Sequence, residues 1–123
     1  MITIKNILLV GLGAGMGGMM RYLILLFFKT QTFPYNTLLI NVLGSFVIGI
    51  VFAITEKQTQ SAEQIKLIFA TGICGGFTTF SAFSVENLQL IKSGNYFAAI
   101  SYITLSVLFC IVGVFAGYKL VNI

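Results

Sequence analysis

The side chains best suited to chemistry in this sequence are neutral hydroxyls and amides at helical spacing inside apolar segments. Two such runs are Thr37, Asn41 and Ser45, and Tyr102, Ser106 and Cys110. Residues four apart lie on one face of a helix. An isolated serine or threonine in such a helix usually bonds its own backbone, but an amide at mid-span is costly unless it is paired or hydrated. For Asn41 two interpretations stay open: a hydrogen bond between helices, or the lining of a polar path.

A second chemical feature is the stretch "GICGGFTTFSAFS" at residues 72–84, which interrupts an apolar segment without any charge. Its glycines lower helix stability, and irregular backbone at membrane depth is tolerated only inside protein or beside a cavity. A broken helix frees carbonyls that can coordinate a cation without a carboxylate. Phe80 and Phe83 lie three residues apart on one face, and their electron-poor ring edges can attract an anion weakly.

The composition indicates an integral membrane protein and argues against an enzyme. Of 123 residues, 58% are hydrophobic and only 8% are charged, too few charges to cover a soluble domain. With no histidine and three carboxylates, little remains for acid–base or metal catalysis. The basic residues are scattered singly, so no nucleic-acid partner is expected. Cys74 and Cys110 lie in apolar segments, which argues against a disulfide framework or a thiolate metal site.

Four membrane spans fill the chain as a single domain, residues 1–123, of the all-α membrane class. They cover about residues 7–28, 35–55, 65–91 and 96–118, each long enough for the hydrocarbon core of a bilayer. The third span is expected to be broken at mid-membrane by the stretch at 72–84. The first run is longer than the apolar part of a signal peptide and lacks a convincing cleavage site, so it is interpreted as a retained helix.

The distribution of positive charge gives only a weak orientation signal. With four spans, both termini lie on the same side. That side holds Lys5, Lys57, Lys66 and Lys119, and the other holds Lys29 and Lys92, with Arg21 if it reaches the surface. The chain could therefore insert both ways, which would allow an antiparallel homodimer. A single orientation set by the first helix is the alternative.

Arg21 and Glu86 are the charged residues well inside the spans. Both lie two to three turns from the same predicted surface, so we hypothesise that they pair, because unpaired ions at depth are expensive. Snorkelling of Arg21 to the interface is the alternative. In the first span, Gly11/Gly15 and Gly13/Gly17 form two overlapping pairs of small residues that let another helix approach closely.

Three motifs resemble those of the CrcB/Fluc family of bacterial fluoride channels, over essentially the full chain. They are "GAGMGGMMRY" at 13–22, "NTLLINVLGSFVIG" at 36–49 and "GICGGFTTFSAFSVE" at 72–86. The third is the most specific of them. The resemblance implies a dual-topology homodimer of antiparallel subunits in the bacterial inner membrane, with two pores lined by both subunits. Fluoride that entered the cell as hydrofluoric acid would leave passively.

The resemblance also implies roles for individual residues. Asn41 would donate to the permeating ion, and Phe80 and Phe83 would present their ring edges to it. Further lining is expected from the hydroxyls of Thr37, Ser81, Ser84, Tyr102 and Ser106. The backbone carbonyls of Gly75 and Thr78, from both subunits, would hold a structural sodium ion at the dimer interface.

Two other functions fit four short spans. A proton-coupled exporter similar to the small multidrug-resistance proteins would need a carboxylate in its first helix, and this first helix has none. A non-transporting subunit of a larger complex would explain the glycines but not the hydroxyl-bearing faces or the broken third span.

Overall fold

The chain folds into helices that are long and apolar enough to cross a membrane four times. The computed structural model describes residues 3–29, 32–58 and 60–123. The membrane-spanning helices are α1 (Ile4–Phe27), α2 (Tyr35–Glu56), the composite third span (Ala62–Lys92) and α6 (Tyr96–Val121). All four predicted spans are confirmed, with ends that differ by a few residues. The protein is therefore a multi-pass membrane protein.

The third span is built from four pieces rather than one regular helix. They are α3 (Ala62–Ile65), a π-helical segment (Lys66–Cys74), α4 (Gly75–Phe77) and α5 (Phe80–Lys92). The backbone leaves helical geometry at Thr78, with ψ of 157°, and at Thr79, with φ of −152° and ψ of 114°. The predicted break is confirmed, but it lies at the two threonines, after the glycines that were expected to cause it.

Glycines set the close approach of α1 to the third span. A Cβ on Gly13 would lie 2.6 Å from the Ile68 carbonyl oxygen, and one on Gly17 would overlap the backbone of Ile73. Gly76 of α4 lies equally close to Ala14. Backbones in such contact gain dispersion energy that larger side chains would prevent. Gly72 and Gly76 of the third span therefore allow α1 to pack closely against it.

The second pair of first-helix glycines has a different environment. A Cβ on Gly11 or Gly15 would meet nothing within 4 Å. Of the two pairs predicted to admit a neighbouring helix, only Gly13/Gly17 contacts another helix among the described residues.

Helices α2 and α6 pack along their lengths, and their C-terminal ends are tied together. Gly49 of α2 lies against the Val114 carbonyl, and Gly117 of α6 lies against the Phe46 carbonyl. At the membrane surface, Lys57 Nζ donates to the Val121 carbonyl at 3.0 Å. This contact places the end of α2 and the C-terminus on the same side, as the four-span topology requires.

A small core lies where α5 folds back on α6. Phe83, Leu90, Ala99 and Tyr102 are buried there, and a turn with Gly94 at φ of 76° joins the two helices. The left-handed φ explains glycine at this position. Most other large apolar side chains are exposed on the outer surface of the chain, as expected where hydrocarbon or a second subunit replaces water.

Candidate functional site

A cavity of about 340 Å³ lies beside the break in the third span. It is bounded by α2, the π-helical segment, α5 and α6. The described residues that line it are Asn41, Gly44, Ser45, Ile48, Ala70, Cys74, Gly75, Thr78, Thr79, Phe80, Phe83, Ser106 and Cys110. None of them is charged. The cavity therefore combines an apolar wall with a few neutral donors, as polar solute sites usually do.

Asn41 of α2 holds the backbone of the break. Its Oδ1 accepts from the Thr79 backbone N–H at 2.8 Å, and its Nδ2 donates to the Thr79 carbonyl at 3.2 Å. The predicted hydrogen bond between helices is formed, and Asn41 also lines the cavity, while its role in a polar path stays a prediction. An amide nitrogen carries two N–H groups, so one remains for another acceptor.

Thr79 is the N-cap of α5 and directly precedes its first residue, Phe80. Its Oγ1 accepts from the Ala82 backbone N–H at 3.1 Å and lies 3.1 Å from the Ser81 hydroxyl. The Ser84 hydroxyl donates to the Phe80 carbonyl at 2.9 Å. Ser81 and Ser84 are exposed and do not line the cavity of the single chain, although both were predicted to line the ion path.

Ser106 is the polar group of the cavity that lacks a partner. The residue is 6% exposed, and its Oγ makes no hydrogen bond within the described part of the chain. By contrast, Ser45 donates to the Asn41 carbonyl at 2.7 Å. A buried hydroxyl without a partner is unfavourable by about 1–3 kcal/mol, so Ser106 is suited to donate to a solute in the cavity.

Phe80 and Phe83 meet at the start of α5, as their spacing predicted. Their ring centroids are 5.2 Å apart with an interplanar angle of 48°. Phe83 is buried, and its ring centroid lies 4.9 Å from that of Tyr102 at an interplanar angle of 64°, whereas Phe80 is 78% exposed on the single chain. Phe83 is thus fixed by the core, and Phe80 lies at the outer surface of the chain.

Glu86 of α5 is bonded to α2 and α6, whereas the sequence suggested a pair with Arg21. Its Oε1 accepts from the Thr37 hydroxyl at 2.6 Å, and its Oε2 accepts from the Tyr102 hydroxyl at 2.7 Å. Thr37 and Tyr102 are fully buried. Neither lines the cavity, although both were predicted to line the ion path. In the sequence, the signal for this cluster was Glu86 itself, an acidic residue inside an apolar segment.

The hypothesised pair between Arg21 and Glu86 is not formed within the chain. The two carboxylate oxygens of Glu86 bind hydroxyls from α2 and α6, and the buried Arg21 Nε has no hydrogen-bond partner among the described residues. Two neutral donors therefore solvate the acid at depth.

Of the residues predicted to hold sodium, Gly75 lies in α4 just before the break and Thr78 lies at the break itself. The Thr78 N–H and hydroxyl both bind the Cys74 carbonyl, at 2.9 and 2.8 Å. This leaves the Thr78 carbonyl at the point where the helix stops. Gly75 is exposed, and a Cβ there would meet only the Ala70 carbonyl, at 3.8 Å.

Comparison with known proteins identifies the family. Residues 8–118 match the family model described as CrcB-like protein, Camphor Resistance (CrcB), which is nearly the whole chain. The chain belongs to the CrcB family. The resemblance first seen in three motifs is thereby confirmed, and all three motifs overlap the matched range.

Individual CrcB relatives carry a more specific name, fluoride-specific ion channel FluC. The protein of Azobacteroides pseudotrichonymphae is 40% identical over 120 residues, 95% of this chain and 96% of the relative. A Leptospira interrogans protein is 42% identical over 121 residues, 96% and 95% of the two chains. The Flavobacterium psychrophilum protein is 41% identical over 116 residues, 92% and 94% of the two chains.

Proposed function

We propose that this chain is the subunit of a fluoride-selective channel that lets cytoplasmic fluoride leave the cell passively and so lowers its toxicity. The observation that carries the proposal is the likeness, over nearly the full length, to relatives named fluoride-specific ion channels. The uncharged cavity beside the break supplies the physical support.

The donors around the cavity suit a small, strongly hydrated anion. A selective path must replace the water around fluoride with close hydrogen-bond donors. The unpartnered Ser106 hydroxyl and the second N–H of Asn41 can serve as donors, and the ring edges of Phe80 and Phe83 add weak attraction. Because these groups carry no fixed charge, the ion can leave again, whereas a lysine at mid-path would hold it.

An antiparallel homodimer in the bacterial inner membrane is the assembly that fits the exposed groups. Phe80, Ser81, Ser84 and Gly75 are all exposed on the single chain and lie near the middle of the third span. Hydroxyls at this depth are better placed against protein than against lipid tails. A second copy inserted in the opposite orientation would cover this surface, and the weak charge bias allows such insertion.

The carbonyl groups beside the break fit a structural sodium ion. Carbonyl oxygens freed by a broken helix are typical ligands for this ion, and the described residues contain no group of three or more histidine, cysteine or acidic side chains that could hold a metal. Gly75 and Thr78 of each subunit would supply the carbonyls. The positive ion would be attracted by these carbonyl oxygens, which carry partial negative charge, where the two subunits meet.

The proton-coupled exporter has less support. Glu86 is an acid inside the spans, but it lies in α5 with both oxygens bonded to hydroxyls. It also lies outside the cavity lining, and no acid among the described residues lines the cavity.

Flux from liposomes tests the proposed function. The purified protein is reconstituted into vesicles loaded with potassium fluoride, valinomycin dissipates the voltage, and a fluoride electrode follows efflux. We expect rapid fluoride loss, little chloride loss from matched vesicles, and no flux with Asn41→Asp, which places negative charge in the cavity. No fluoride efflux from folded wild-type dimers, or equal efflux of chloride, would contradict the proposal.

Two further measurements address the assembly and its ion. Tags at the C-terminus should react from both sides of the membrane if insertion is dual, and from one side if it is not. Replacing sodium with a larger monovalent cation during purification should weaken the dimer in detergent. An unchanged dimer in a sodium-free buffer would contradict the sodium site.

A further inference from the structure

The break in the third span is held by a side chain of α2, Asn41. The helical hydrogen-bond ladder stops after the Thr78 N–H, which still bonds the Cys74 carbonyl, so the N–H and C=O of Thr79 need other partners. Buried backbone groups without partners are rare because each one is costly. Asn41 supplies both partners at once, at 2.8 and 3.2 Å.

The two hydrogen bonds have the donor–acceptor pattern of paired peptide groups. The Asn41 side chain offers one carbonyl oxygen and one amide nitrogen to the N–H and C=O of a single residue. Two bonds to the same residue fix both distance and orientation, as bidentate contacts do. Separately, the backbone carbonyl of Asn41 accepts from the Ser45 hydroxyl at 2.7 Å.

Thr79 also fixes the start of α5. Its hydroxyl accepts from the Ala82 N–H at 3.1 Å and so caps the first turn of the helix. Phe80 is the first residue of α5, and Phe83 lies one turn later. The place of Phe80 therefore depends on where Thr79 is held, whereas Phe83 is also fixed by its packing on Tyr102.

We propose that Asn41 and Thr79 form a positioning clamp, in which the Asn41 amide fixes the Thr79 peptide and the Thr79 hydroxyl fixes the first turn of α5, so that Phe80 is held in one orientation beside the cavity. Thr79 is then a positioning residue of the site. Its link to ion flux rests on the proposed channel function, but its link to Phe80 does not.

The test reports on Phe80 directly, by ¹⁹F NMR of full-length protein with 4-fluorophenylalanine at position 80. The clamp variants are Asn41→Asp, which loses the donor to the Thr79 carbonyl, and Thr79→Val, which loses the cap but keeps the shape. Thr79→Ser keeps the hydroxyl. Thr55→Val is the matched control, because the Thr55 hydroxyl bonds only its own helix, at the Val51 and Phe52 carbonyls.

We expect Asn41→Asp and Thr79→Val to shift or broaden the Phe80 resonance, and Thr79→Ser and Thr55→Val to match the wild type. Fluoride efflux with Thr79→Val should fall by roughly ten- to a hundredfold, the loss typical when a group that orients a binding residue is removed. An unmoved resonance in both clamp variants would overturn the proposal, even if efflux were lost. A moved resonance in a protein whose wild type conducts no fluoride would keep the clamp and refute the channel.

If neither clamp variant folds, amide hydrogen exchange of the wild type gives the answer. The Thr79 N–H lies outside helical geometry, so its protection depends on the Asn41 side chain. Slow exchange at Thr79, comparable with the helical amides of α5, supports the clamp. Fast exchange at Thr79 beside slow exchange in α5 overturns it.

Discussion

The Tyr102 hydroxyl donates to Glu86 Oε2 at 2.7 Å, which bonds α6 to α5 in the buried part of the chain. The other carboxylate oxygen accepts from Thr37 of α2 at 2.6 Å, so one acid links three helices. Such a cluster is stable because each oxygen of the acid has a donor, and hydrogen bonds to a charged group are among the stronger ones.

Removing either hydroxyl should destabilise the fold. Tyr102→Phe and Thr37→Val are each expected to lower the free energy of unfolding by about 1.5–3 kcal/mol, the range for hydrogen bonds to charged groups. Thermal unfolding in detergent measures the change. Tyr118→Phe is the matched control, because Tyr118 donates to Glu56 at 2.5 Å on an exposed surface and water can replace the lost bond. An equal loss in Tyr118→Phe and Tyr102→Phe would show that the cluster has no special role.

Replacing Phe83 should mainly lower stability, whereas replacing Phe80 should mainly lower conduction. Phe83→Ala removes a ring that is buried against Tyr102 and should cost about 3–5 kcal/mol of stability. Phe80 is largely exposed on the chain, so Phe80→Ala should cost clearly less while still lowering fluoride efflux. Unfolding and efflux are measured on the same preparations. Equal loss of stability in both variants would contradict this division.

The two glycine pairs of α1 should respond differently to alanine. Gly17→Ala places a Cβ on the backbone of Ile73 and should destabilise the chain by about 1–3 kcal/mol, as overpacking does. The added methyl of Gly15→Ala meets no atom of the described residues within 4 Å and should leave unfolding of the chain unchanged.

Size-exclusion chromatography extends this comparison to the proposed dimer. If Gly15 lies against the second copy, Gly15→Ala should shift the protein toward monomer while the helices persist. A Gly17→Ala protein as stable as wild type would show that α1 does not pack on the third span as described.

Exchange of the two charges within the spans, Arg21 and Glu86, should not restore function. Because Glu86 binds Thr37 and Tyr102 rather than Arg21, Arg21→Glu combined with Glu86→Arg places a cation between two hydroxyl donors. We expect fluoride efflux to be as low in the double variant as in Glu86→Arg alone. Recovery of efflux in the double variant would instead establish a pair between Arg21 and Glu86, formed between subunits.

The candidate site was predictable where it depends on residue type and spacing. The pairing of Phe80 with Phe83, the inward position of Asn41 and the break in the third span all follow from helical periodicity and from what a bilayer tolerates. The partner of Glu86 was not predictable. Their positions in the sequence placed Arg21 and Glu86 at the same predicted depth in the membrane. Which neighbour a side chain faces depends instead on how each helix is rotated about its axis.

The sequence by itself determined the membrane class, the four spans and the chemistry available to the site, because the length of the apolar segments and the scarcity of charge within them leave few alternatives. Only the tertiary structure decided how the glycines and polar groups are used. The third helix continues through Gly72 and Gly76, against which α1 packs, and it breaks at Thr78 and Thr79, where Asn41 satisfies the backbone. Such partners come from distant parts of the chain, and no local pattern specifies them.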